Sequence, residues 1–250
     1  MFHFEDEKKC VINIPQLADD LDKKPIEREP PNGTVVSQVS WTGVDLSRIH
    51  DIYHGAGEYA VSRKKYVLID GAGPAFLYSG ITHSCHPASV SISDPKVAEK
   101  EVAVRRLNAV PLEKAGNEDV KYEVHEGKDF SLLRSEIISA GKVLDHKKLD
   151  RIKCPDLSGK PVVISGRLPH WFTVSLANTY AHKVPWVACH QPNAGATVSI
   201  THDPETRLGT VVPDEKVNET LCSQYYESLS PSGPEKKLAE NPKMRLKLSL

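Results

Sequence analysis

The feature that most constrains this chain is an order of segments that is written twice. One copy runs Thr34–Ser40, Val44–Ile52 and Tyr66–Leu77; the other runs Phe130–Ile138, Val143–Ile152 and Pro161–Phe172. Each copy reads as a β-rich run, a short helical segment, a buried strand, a glycine turn, and a proline that opens a helix. A single duplication accounts for that order, so two related half-domains are expected.

The second copy is the clearer one. Residues 130–138 alternate as a strand does, and 143–152 carry leucine and isoleucine at helical spacing. Val162–Ile164 is a β-branched run suited to a buried strand. Pro169 suits a first helical turn, where its missing N–H costs nothing. The helix should reach about His182, with Trp171, Val174, Leu176 and Tyr180 as core or interface residues. Strands follow at Trp186–Cys189 and Ala196–Ile200, joined through His190–Gly195. The predicted class is α+β, two two-layer sandwich half-domains of βαβαββ type.

The first copy follows the same plan with a second helix shortened after Leu77, because Thr82–Pro87 reads as a turn. Ser89–Ser93 is its next strand, Asp94–Lys96 a turn, and Glu101–Arg105 a return strand. The boundaries are 1–112 for the N-terminal half, 113–128 for a charged linker, 129–228 for the C-terminal half, and 229–250 for a flexible tail rich in Pro, Ser, Lys and Glu.

The chain has 250 residues and a formal net charge of −1, which argues against a generic binder of duplex DNA. A small anionic ligand would need only a local positive pocket. The start is acidic and lacks an apolar run, so no signal peptide is expected, and no stretch is long enough for a membrane helix. Cys10, Cys85, Cys154, Cys189 and Cys222 are scattered and odd in number, as free thiols in a cytoplasmic protein would be.

Gly166-Arg167-Leu168-Pro169 lies between a buried strand and a helix. Unpaired amides at a first helical turn favour an anion, glycine lets a ligand approach, and arginine offers a forked donor. Ser165, His170, Asn193 and His202 stand nearby in the same plan. Gly71, Gly73 and Pro74 repeat the layout without the arginine. A glycine–proline turn also serves as a plain connection. Eleven histidines is a high count; His83, His86 and His182 fall at turns or helix ends, where each could move a proton or simply be solvated. Asp94-Pro95-Lys96 and Gln191-Pro192-Asn193 occupy equivalent places.

Val162–Trp171, Leu176, Tyr180, His182, Trp186–Ala188, Pro192, Gly195, Ala196 and His202 together resemble the small Csx proteins of type III CRISPR systems, the stand-alone ring nucleases. The resemblance covers about residues 130 to 210, with 34–105 as a diverged copy. It implies ferredoxin-like halves acting as a pseudo-dimer within one chain, with a cyclic oligoadenylate, first the tetra-adenylate, as ligand. The implied reaction is attack of a ribose 2′-hydroxyl on the adjacent phosphorus, ending antiviral signalling. Family members tend to carry aspartate-proline-arginine where unit two has Gln191-Pro192-Asn193, whereas unit one keeps Asp94-Pro95-Lys96. The resulting expectation is that His83, His86, Asp94, Lys96 and His182 supply catalysis. Gly71, Gly73, Ser165, Gly166, Arg167, His170, Asn193 and His202 would bind phosphate. No cofactor is required, although manganese stays open, and so does pairing into a homodimer. The alternatives are a sensor or sponge that binds the ring uncut, and a manganese-dependent 3′ RNA exonuclease.

Overall fold

The computed structural model describes residues 2–28 and 36–228. The first half begins with β1 (Phe4–Glu5), β2 (Lys9–Asn13) and α1 (Ile14–Asp20). β3 (Pro25–Arg28) and β4 (Val36–Val39) pair as a separate antiparallel ribbon. Then come α2 (Gly43–Tyr53), α3 (Ala56–Ser62), β5 (Tyr66–Asp70), α4 (Ala75–Ser84), β6 (Val90–Ser93) and β7 (Glu101–Ala103). The second half holds β8 (Asn108–Val110), β9 (Val120–Glu126), β10 (Ser131–Ile137), β11 (Lys153–Pro155) and β12 (Val162–Ser165). It closes with α5 (His170–Tyr180), β13 (Trp186–Gln191), β14 (Gly195–Thr201), β15 (Val211–Val212) and α6 (Asp214–Ser228).

Two main sheets result, ordered β1-β2-β5-β6-β7 and β15-β14-β13-β12-β10-β9. In the first, β2, β5 and β6 are parallel and both flanking strands are antiparallel. In the second, β10, β12 and β13 are parallel, again flanked by antiparallel strands, β9 and β14. The two sheets therefore share order and direction, and the mixed α+β class is the one built. The ferredoxin-like halves implied by the resemblance are not: that fold splits its βαβ unit with an intervening strand, whereas β12 lies directly beside β10 and β13.

Several boundaries differ from the sequence reading. Residues 113–128 are no linker, because they contain β9, hydrogen-bonded along its length to β10. The strand of unit one that matches β10 is β2, not residues 34–40, whose described part lies in the β3–β4 ribbon. Residues 143–152 form no α-helix; His146–Arg151 is a 3-10 turn that buries Leu149. The helix after Gly73 is not trimmed: α4 runs through Thr82, His83 and Ser84. The tail from 229 lies outside the described residues.

The helices α4 and α5 form the centre. Eight of ten residues in α4 and nine of eleven in α5 are buried, as expected of helices enclosed on all sides rather than laid on a surface. They pack on each other, and each also reaches the other half: α4 meets β13 and β14, and α5 meets β6. Small residues permit this closeness. Ser199 of β14 donates to Ser79 of α4 at 2.9 Å, and the Leu107 amide donates to Thr179 of α5 at 2.8 Å. One continuous core thus spans both sheets, while α6 covers the outer face of the second over Leu132, Val163, Ala188 and Val198.

A second contact joins the halves at α2. Its start is a capping box: the Asp45 carboxylate accepts from the Thr42 amide at 2.7 Å, and Lys23 reaches the same carboxylate. This fixes Gly43 against the turn before β15, where an added Cβ would stand 1.7 Å from the Gly209 carbonyl oxygen. Gly43→Ala must push the two segments apart. Overpacking of this kind costs about 1–3 kcal/mol, so the melting temperature should fall by several degrees. Thermal unfolding of the variant checks this, and an unchanged midpoint would show that α2 does not hold the halves together.

Candidate functional site

Because α4 and α5 lie side by side, pointing the same way, their first turns meet at one end and their last turns at the other. Stacking of Tyr78, in the first turn of α4, on His170, the first residue of α5, sets the first end: the ring centroids are 4.5 Å apart with planes at 20°. This is also where the parallel strands end, the usual place for ligands in such sheets.

Each helix start faces the opposite half. At the start of α5 the Trp171 indole donates to the Asp94 carboxylate at 3.1 Å, and the Lys96 amide donates to its other oxygen at 2.9 Å. The Tyr78 hydroxyl donates to the Gly71 carbonyl. Burial lowers the His170 imidazole, opposed by Asp94, and its Nδ1 is buried with no hydrogen-bond partner. At the start of α4, Pro74–Phe76 close a cavity of about 240 Å³ lined also by Gly166, Arg167, His170, Thr173, His190 and Pro192. Arg167 is exposed and makes no ion pair among the described residues. Asn193 is exposed in a left-handed conformation at φ 64°.

The glycines are required by packing. A Cβ at Gly166 would lie 2.2 Å from the Ser135 carbonyl oxygen, and one at Gly71 would lie 2.4 Å from Pro15. Both sit at positive φ, 149° and 101°, where side chains are disfavoured. Gly73 is likewise packed on Ile14 and Leu77.

The far end gathers histidines from both halves. His83 lies 5.9 Å from His182 and 5.2 Å from His202, His86 lies 6.0 Å from His182, and His182 lies 5.1 Å from His202, ring centre to ring centre. His86, His182 and His202 are exposed, while His83 is half-buried on α4. Burial, reinforced by the neighbouring imidazoles of His202 and His182, pushes His83 down to about 4. Desolvation first, then His202 and the positive charge of Arg106, lower His182 as well.

The expected catalytic set is therefore divided. His83, His86 and His182 stand together with His202, which was expected to bind phosphate. Asp94 and Lys96 stand at the other end, about 16 Å away by the helical rise between Trp171 and His182. Among the described residues no group of three or more His, Cys, Asp or Glu is placed to hold a metal ion. No helix among them is long and apolar enough to cross a membrane.

Residues 137–213 match the family model for CRISPR-associated protein Cas_csx3. The match takes in α5, β12 to β14, Arg167, His182 and His202. It covers under a third of the chain and coincides with the half in which the resemblance was read. Two residues that sequence reasoning left out of the site also fall here or at its edge: His190 lies inside the match and Asp214 lies one residue beyond it. Their hydrogen bond at 2.8 Å has no signature in spacing.

The lowered His83 has a consequence for stability. The unfolded chain takes up a proton near the ordinary value of 6.5, the folded chain only near 4. Stability from this group is therefore whole above about pH 6.5 and drains away as pH falls toward 4, the loss reaching at most about 2 kcal/mol at pH 5. Urea midpoints should drop less between pH 7 and pH 5 in His83→Gln than in the wild type. Equal drops would mean that His83 titrates normally.

Proposed function

We propose that this chain is a phosphodiesterase that opens cyclic oligoadenylate, cyclic tetra-adenylate foremost, and so ends type III CRISPR signalling. The carrying observation is the convergence of four imidazoles, two from each half, at the shared end of α4 and α5. The resemblance of unit two suggests the substrate class, and the family match over 137–213 supports a CRISPR-associated role.

Ring opening by a ribose 2′-hydroxyl needs a base for that hydroxyl, an acid for the departing 5′-oxygen, and positive charge for the phosphoryl oxygens. His83 suits the base, because an imidazole held near 4 is neutral at physiological pH. His202, exposed beside it, is placed to donate the proton. Arg106, close enough to depress His182, supplies charge for the phosphate. The products are linear strands ending in a 2′,3′-cyclic phosphate, and no metal takes part in these steps. Lys96 and Arg167, at the opposite end, are assigned to holding anionic ligand and Asp94 to fixing the start of α5 through Trp171, rather than to proton transfer.

The test is incubation of cyclic tri-, tetra- and hexa-adenylate with substoichiometric protein, with EDTA and manganese arms, followed by chromatography and mass spectrometry. Multiple turnovers to linear product are expected in EDTA. His83→Ala should lower the rate by about 10²-fold or more with ring binding kept. Rings retained uncut, mole for mole, would establish the sponge instead. Manganese-dependent shortening of linear poly-adenylate would establish the exonuclease.

A further inference from the structure

A hydrogen-bonded chain of three side chains stands at the strand ends of the second half, apart from the histidine cluster. Ser165 Oγ lies 2.9 Å from His190 Nδ1, and His190 Nε2 lies 2.8 Å from Asp214 Oδ1. The second Asp214 oxygen accepts from Asn218 Nδ2 at 2.9 Å. A carboxylate can only accept, so Nε2 carries the ring proton and the Nδ1 lone pair faces the serine. The hydroxyl therefore donates to Nδ1, which is the polarity a nucleophile and its base require. The two ring nitrogens exchange places relative to the familiar serine-hydrolase triad, but the order carboxylate, imidazole, hydroxyl is the same.

Rigid elements hold the three. β12 and β13 pair in parallel with Ile164 opposite Cys189, so the next residues on each strand, Ser165 and His190, stand side by side. Asp214 opens α6, which covers that face of the sheet. The His190 side chain is only 7% exposed, whereas Ser165 is half-buried. The bond to His190 holds the Asp214 carboxyl below its ordinary range.

Beside the triad lies the cavity of about 240 Å³, walled by His190, Ile164 and Gly166; Ser165, half-buried between two of these residues, is not itself part of the wall. Its exposed Arg167 and the first turn of α5 favour an anion. The volume is below the usual range of sites for larger ligands and suits a phosphate with a small alcohol, not a ring of nucleotides.

We propose that Ser165, His190 and Asp214 form a nucleophilic triad that transfers the phosphoryl group of a small phosphate monoester to water. Ser165 Oγ attacks phosphorus, its proton passes to His190 Nδ1, and the bond to the ester oxygen breaks. The leaving alcohol takes that proton. Water then attacks the phosphoserine, giving a proton to His190 that returns to Ser165 as inorganic phosphate leaves. This activity is independent of the histidine cluster and does not rest on ring cleavage.

The first arm uses unaltered protein. Treatment with a fluorophosphonate should add one phosphonyl group, with loss of fluoride, and peptide mass spectrometry should place it on Ser165. His190→Gln should slow labelling by about 10²-fold or more and Asp214→Asn by at least about 10-fold. The second arm follows p-nitrophenyl phosphate, whose hydrolysis should vanish in Ser165→Ala. No labelling of the unaltered protein, or labelling of Ser165 indifferent to His190→Gln, would overturn the triad and leave a structural tie between β12, β13 and α6. Labelling that depends on His190 but without hydrolysis of the nitrophenyl ester would overturn phosphate monoesters as the substrate. Hydrolysis that survives Ser165→Ala would overturn the serine as nucleophile.

Discussion

The structure depends on the close pairing of α4 and α5. Neither helix has a solvent face of any size, so each must satisfy both its apolar surface and its few polar groups inside the protein. The Ser79–Ser199 and Thr179–Leu107 hydrogen bonds answer part of the second need, since each buried group left unpaired costs about 1–3 kcal/mol. The first is met by placing a sheet from each half around the pair. Two functional ends follow directly, because helices that run alongside each other in one direction present two first turns together and two last turns together.

Much of this was legible in the sequence. The apolar runs of β5 and β12 are too short for helices and too continuous for half-exposed strands, and Pro74 and Pro169 mark where the helices begin. Other parts were hidden for physical reasons. β9 carries its buried Val120 and Tyr122 between Lys121 and Glu123, so charge disguised a strand as a linker. Leu144, Leu149 and Ile152 are all buried and imitate helical spacing, yet the chain reaches them through tight turns that no periodicity reveals. β2 is only five residues long and sits among charged neighbours, which shifted the apparent start of the repeat to residues 34–40.

The site was legible residue by residue but not in its grouping. His83 and His202 are far apart in sequence, and only the packing of α4 against β14 brings their rings to 5.2 Å. The glycine turns were read as openings for a ligand, whereas Gly166 is required because the Ser135 carbonyl already fills the space its side chain would take. A turn can be indispensable for packing and still leave its neighbours free: Arg167, one residue on, points no charge at any carboxylate among the described residues.

Carrying two like-ordered halves in one chain has a chemical consequence. In a symmetric dimer each strand end would bear the same residues, and a change suited to one function would appear twice. Here Asp70 and Ser165 close the equivalent strands β5 and β12, and Asp94 and Gln191 fall at equivalent places after β6 and at the end of β13. The first end therefore holds two unlike sites. One is acidic, with Asp94 bound to the Trp171 indole. The other presents Arg167, the cavity beside α4 and the Ser165–His190–Asp214 chain. The histidine end differs in kind, since its imidazoles come from both halves and the neighbouring rings help to lower the proton affinity of His83 and His182. Divergence within one chain has thus freed the two strand ends from matching, while the helix pair that both halves share keeps the histidines assembled.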